Sequence, residues 1–271
     1  MRKSMIGLSA IALFVAATPA MAQDDDGLGL TITGGASLVS DYRFRGFSQN
    51  AEDFALQGSA TVTHESGAYI GFWGSTNSLK GEIDVIGGIS HELVPGLTGD
   101  IGVTYYLYPN RTALGEAGAG FVNGPKGANE LVEPYVSLSS TVGPVSGKLG
   151  FAWAPKQDFF TSFDDGRRYD NTYLWVDGSV GVPNTPITLT GHVGWTSNHY
   201  LRSTLVDAVT GDSRADVIDY GVGASASYKA LTFGVNFVST DLPSRLTDGT
   251  YRLRETLGAD NTVVFSLGAS F

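Results

Sequence analysis

Cysteine is absent from the 271 residues, so disulfides, thiolate metal sites and a lipid-modified cysteine are all excluded. Basic residues are few: 17 Lys and Arg stand against 27 Asp and Glu, for a formal net charge of −10. That balance excludes a nucleic-acid partner, whose binding is driven by Lys and Arg on phosphate. Lys and Glu, the helix-favouring charged residues, are sparse, and no stretch beyond the first residues has the ~18–20 apolar residues of a spanning helix. No two of the four histidines have the spacing of metal ligands on one strand face, and neither metal nor cofactor is expected.

What is present begins with an export signal. Arg2 and Lys3 are followed by an apolar run from Met5 to about Ala17, and Ala20-Met21-Ala22 supplies a small-x-small cleavage site before Gln23. The expectation is a Sec signal peptide over residues 1–22 and one mature domain over 23–271. Without Arg2 and Lys3 the mature chain carries 15 basic against 27 acidic residues, or −12. Glycine is abundant at 36 residues, roughly twice ordinary usage, and aromatics are plentiful, a balance that suits strands and turns.

From Leu28 onward apolar and polar residues alternate with period two, the pattern of strands with two unlike faces. Leu28, Leu30, Ile32, Ala36 and Leu38 share one parity; Ile101, Val103, Tyr105 and Leu107 alternate with Asp100, Gly102 and Thr104. The pattern predicts about twelve strands: 28–40, 54–64, 68–77, 82–92, 98–108, 130–142, 145–155, 172–183, 186–198, 216–228, 231–240 and 261–271. Most match the ~9–11 residues with which a tilted strand crosses a bilayer. Pro134 cannot donate to a ladder and must sit near a rim or bulge. The third strand has aromatics on both parities, which leaves its faces open.

The connections alternate strictly between short and long, with 78–81 the short exception among the long ones. Short periplasmic turns, longer external loops and an even strand number define an outer-membrane antiparallel β-barrel. Trp73, Trp153, Trp175 and Trp195 fall near the long-loop end, as an interfacial aromatic girdle requires, joined by Tyr42, Phe44, Phe54, Tyr105 and Tyr220. Trp175 has inward parity, which predicts a bulge or a register slip. Tyr228, Phe233 and Phe271 lie toward the other end. The final strand alternates from Val263 to a terminal Phe271, resembling the signal read by barrel-assembly machinery.

If apolar residues face lipid, the lumen receives Gln57, Glu82, Asp84, Asp100, Tyr106, Glu133, Tyr135, Lys148, Asp177, His192, Asp219 and Asn236, with Arg43 and Arg45 at the outer rim. A charge facing hydrocarbon at midplane costs roughly 2–4 kcal/mol, so this sorting is physically enforced. The charged members are candidate pore-lining residues, and inward Gly, Ser and Thr are expected to leave a narrow open passage. The reading is a porin-like channel for small polar solutes or ions, with weak cation preference, outer-membrane lipid around it and no catalytic residues. Alternatives at this point are a closed barrel with a structural or surface-binding role, a lipid-active enzyme, and a secreted β-sandwich. His64-Glu65-Ser66 has the spacing of a hydrolase fragment but falls in a short turn, on the wrong side for lipid chemistry.

One resemblance adds to this. Ser40-Asp41-Tyr42-Arg43-Phe44-Arg45-Gly46-Phe47-Ser48-Gln49 is followed by His64-Glu65-Ser66-Gly67, by Gly71-Phe72-Trp73-Gly74-Ser75, by Glu82-Ile83-Asp84 and by Gly102-Val103-Thr104-Tyr105-Tyr106-Leu107-Tyr108-Pro109. The series resembles the TorF-type porins of proteobacteria, most sharply over residues 30–110 and continuously to Phe271. The resemblance implies an outer-membrane barrel with a transport role; it brings no catalytic or ligand-binding residues.

Overall fold

The computed structural model describes residues 28–78, 81–109, 129–161, 166–198, 216–242, 253–256 and 258–271. The expected signal peptide and much of the long connections after residues 109, 161, 198 and 242 lie outside them. Alternation becomes fourteen strands: β1 (Leu30–Val39), β2 (Arg43–Phe44), β3 (Phe47–Ser48), β4 (Ala55–His64), β5 (Ala68–Ser75), β6 (Glu82–Val94), β7 (Leu97–Leu107), β8 (Glu130–Val142), β9 (Val145–Ala154), β10 (Asn171–Gly181), β11 (Ile187–Asn198), β12 (Asp216–Tyr228), β13 (Leu231–Thr240) and β14 (Thr262–Ser270). Twelve of them close an antiparallel up-and-down barrel, with β1 paired to both β4 and β14. β2 and β3 form a separate two-stranded sheet.

Each of the five short connections contains one residue with positive φ: Gly67, Gly96, Gly143, Asn184 and Lys229. Such residues let antiparallel strands reverse within two to five positions. The barrel seam is sealed by the last residue. Phe271 exchanges backbone hydrogen bonds with Gly34 (3.0 and 2.9 Å), and its ring lies over Gly34, where an added Cβ would meet Cζ at 2.7 Å. Pro134 sits where the β8–β9 ladder stops at Tyr135, so its missing N–H costs no ladder bond. Beyond it the Gln157 side chain replaces a strand, accepting from Val132 N (2.9 Å) and donating to Val132 O (3.0 Å).

The outward positions form a lipid-facing band. Ile32, Leu56, Phe72, Ile101, Val136, Leu149, Val193, Val222, Phe233 and Phe265 are all exposed. Among the described residues, charge or imidazole occurs on this face only at strand ends: Glu130 and Asp216 at the long-loop end, His64 and His91 at the short-turn end. A closed barrel with such a band is the fold of an outer-membrane protein.

The aromatic girdle is smaller than its sequence pattern suggests. Trp153, Trp195, Phe54 and Tyr220 face outward at the long-loop end, and Tyr228 and Phe271 at the other. Trp73 and Trp175, however, are 2% and 3% exposed and point into the barrel. Trp175 needs neither a bulge nor a register slip. It pairs in register with Gly150, whose missing side chain leaves room for the indole: an added Cβ would fall 2.1 Å from the ring. On β5 the faces resolve as Tyr69 and Trp73 inward, Ile70 and Phe72 outward.

Candidate functional site: a lumen crossed by a hairpin

The lumen has two unlike halves. Toward the short turns the inward positions are mostly small and hydroxylated, including Thr31, Thr61, Ser90, Ser139, Ser179, Thr190 and Ser227, and form a polar vestibule. Toward the long loops the lumen is filled by part of the chain itself. The segment 41–53, expected as an external loop, turns inward, and its hairpin β2–β3 crosses the barrel. Tyr42 and Phe47 are each 2% exposed and Phe44 is half-buried, so Tyr42 and Phe44 belong to the interior and not to the girdle.

The turn explains how the hairpin reaches so far. Phe44-Arg45-Gly46-Phe47 is a two-residue reversal with φ of 50° at Arg45 and 87° at Gly46, both in the left-handed region. Glycine suits that geometry; arginine adopts it only where its surroundings hold it there. Gly46 lies against the wall formed by β12 and β13, where an added Cβ would meet Thr240 Cγ2 at 2.4 Å and Asp219 Cβ at 3.1 Å. Asp219 is the fourth residue of β12, which puts the tip ~10 Å below the strand's outer end.

Arg43 and Arg45, expected at the outer rim, are therefore inside. Arg45 Nη2 donates to both Glu133 oxygens at 2.8 Å, and Nη1 to Asn171 Oδ1 at 2.9 Å. The guanidinium also lies over the Tyr173 ring, 4.1 Å from its centroid, and over Phe44 at 4.7 Å. Burial alone would lower the Arg45 pKa; Glu133, with Tyr106 and Tyr173, more than offsets it, and the pKa is raised. Arg43 ties the root of the hairpin, paired with Asp41 and donating to Gly258 O (2.7 Å) and Asp260 O (3.2 Å). Ser48 N donates to the same Gly258 carbonyl at 2.7 Å, so the last connection fastens the root. Tyr42 lies tilted against Trp73 (ring centroids 5.3 Å apart), and burial, then Glu82 and Asp84, pushes its pKa up.

The remaining candidate pore-lining residues all face the lumen, in three groups. Glu82 accepts from Tyr108 Oη (2.9 Å) and Asn77 Nδ2 (3.2 Å), beside Asp84, which is 2% exposed. His192 sits between two carboxylates, Nδ1 to Asp177 at 2.6 Å and Nε2 to Asp219 at 2.9 Å, and Tyr173 Oη donates to Asp219 at 3.1 Å. Deeper, Asp100 accepts from Tyr69 Oη at 2.8 Å, and Lys148 pairs in register with Asp177 and Ser139. Glu133 also accepts from Tyr106 at 3.0 Å. Not every polar atom is satisfied: among the described residues Arg45 Nε, Asp84 Oδ1, Gln57 Oε1 and Trp73 Nε1 are buried and find no partner, at a cost of about 1–3 kcal/mol each.

The inward glycines do not leave open space where tyrosines lie across them. An added Cβ would meet Tyr69 Oη at 2.5 Å from Gly88, Tyr135 Oη at 2.7 Å from Gly102 and Tyr173 Oη at 2.1 Å from Gly194. Sequence reasoning missed Tyr173 and Asn171 as partners of Arg45. It also missed the hairpin, although Arg-Gly between two phenylalanines is a tight-turn signal. At the other end the His64 ring bonds Ser66 Oγ (2.9 Å) and Ser66 N (3.1 Å), tying its own exposed turn.

Residues 23–271 match a family described as a bacterial protein of unknown function (Gcw_chp). The chain belongs to this family. None of the curated proteins matches its sequence. Among solved structures the barrel is similar to the NanC porin at TM-score 0.50 and 12% identity, covering 89% of this chain and 98% of that one. The KdgM porin is similar at 0.49 and 7%, covering 89% and 97%. OprD of Pseudomonas aeruginosa gives 0.41 and 10%, covering 90% and 66%. At these identities the likeness is one of fold.

Proposed function

We propose that this protein is a porin-like channel of the outer membrane that passes small polar solutes or ions, with a weak preference for cations. The observation that carries the reading is the lumen: a closed barrel lined by hydroxyls toward the short turns and by charged groups toward the long loops. The resemblance to TorF-type porins supports the same role. Export by a Sec signal peptide and assembly through the C-terminal strand belong to this reading; N-terminal sequencing of the membrane-embedded protein should start at Gln23, and a start at Met1 would refute the cleavage.

The cation preference rests on which charges are already matched. Arg45 faces Glu133 and Arg43 faces Asp41, whereas among the described residues Glu82, Asp84, Asp100, Asp177 and Asp219 have Lys148 and His192 as their nearby bases. A negative excess between low-dielectric walls raises the local cation concentration. At physiological salt the Debye length is ~8 Å, so the effect is modest and grows as salt is lowered. Planar-bilayer recording under a salt gradient tests this. The reversal potential should favour cations and move toward zero when Glu82, Asp84 and Asp219 become amides; anion selectivity would overturn the assignment.

A further inference from the structure

Resting on the channel reading, we propose that the hairpin β2–β3 is a movable closure of the lumen and that the Arg45–Glu133 ion pair is the latch that holds it in. Three observations carry this. First, every barrel strand already has both of its neighbours, and the hairpin forms a separate sheet. It can withdraw without breaking a barrel ladder bond. Second, its tip is held across the lumen by polar contacts converging on one side chain, with Arg45 bound to Glu133 and Asn171 and stacked on Tyr173.

Third, the inserted state carries costs that withdrawal removes. Arg45 sits in the left-handed region at φ 50°, and Arg45 Nε and Asp84 Oδ1 are buried with no partner among the described residues. Withdrawal hydrates both. The root contacts of Arg43 and Ser48 with Gly258 are separate from the tip and supply the hinge. A charge-assisted pair, in which one Arg45 nitrogen reaches both Glu133 oxygens, opposed by strain and desolvation is a bistable arrangement. Solutes then pass when the latch is open, and Glu133 sets how often that happens.

The cysteine-free chain makes the test direct. Thr240 is fully buried beneath Gly46, so a single Thr240→Cys reports whether the hairpin is in place. In refolded barrel, with folding checked by heat-dependent gel mobility, a hydrophilic maleimide should label Cys slowly. Adding Glu133→Gln should speed labelling about tenfold or more, the factor that corresponds to ~1.4 kcal/mol. Arg45→Lys, which keeps the charge and loses the fork, should give an intermediate rate and serves if the first variant does not fold. Equal rates with and without either change would overturn the latch. Conduction with unchanged labelling would retire the latch and leave the channel standing; faster labelling with no conduction in any variant would retire the channel and leave a mobile hairpin.

Discussion

Tryptophan at girdle height has two stable homes, and one missing side chain on the neighbouring strand decides between them. Trp175 turns inward because Gly150 opposite makes room for the indole, which then stacks on Tyr173 at 5.4 Å. Trp153, opposite Thr172, stays on the lipid face. The parity of Trp175, shared with Asp177, was legible in the sequence; that the position is comfortable was not, because Gly150 becomes its partner only once the register is known. Strand β9 holds two glycines in unlike surroundings. Gly150→Ala drives a Cβ into a ring pinned by Tyr173 and should destabilise the folded barrel by about 1–3 kcal/mol, the usual cost of overpacking. Gly147→Ala, with its nearest neighbour 3.9 Å away, should stay within about 0.5 kcal/mol. Denaturant unfolding in detergent or lipid checks the pair, and equal midpoints would contradict the packing.

Among elements, the barrel strands were the most readable because each must cross the bilayer with one apolar face; a one-residue slip would put charge into lipid. Several strand ends, such as those of 130–142 and 231–240, coincide with the observed ones. The hairpin was unreadable as an inserted element for the opposite reason. Its polar residues suit an external loop equally well, and only their partners on β8, β10 and the 258–260 segment place it inside. The β1–β14 seam supplies a prediction at this scale. It is shorter than the other barrel ladders, and Phe271 adds two backbone bonds and a ring over Gly34. Phe271→Asp should reduce folded protein in the membrane several-fold, while Ser270→Ala, on the lumen side, should not; equal heat-modifiable yields would mean the seam does not depend on Phe271.

At the scale of the whole molecule, closure of the barrel and sorting of charge follow from one constraint: in lipid every backbone group must be paired and every charge must face inward. That constraint yields the fold and the list of lumen residues from sequence. It says nothing of how they pair, and pairing is what turns Arg43 and Arg45 from rim charges into fastenings of an inserted hairpin. It also means that the free path is narrower than a count of inward glycines suggests, since Tyr69, Tyr135 and Tyr173 lie over three of them. The lumen is therefore restricted by the hairpin and is not a wide aqueous pore. Single-channel recording of the refolded protein in a planar bilayer tests it most directly. The expected result is discrete, small conductance steps that become larger or more frequent in Glu133→Gln; the absence of steps from wild type and from Glu133→Gln, both shown to be folded, would contradict the channel.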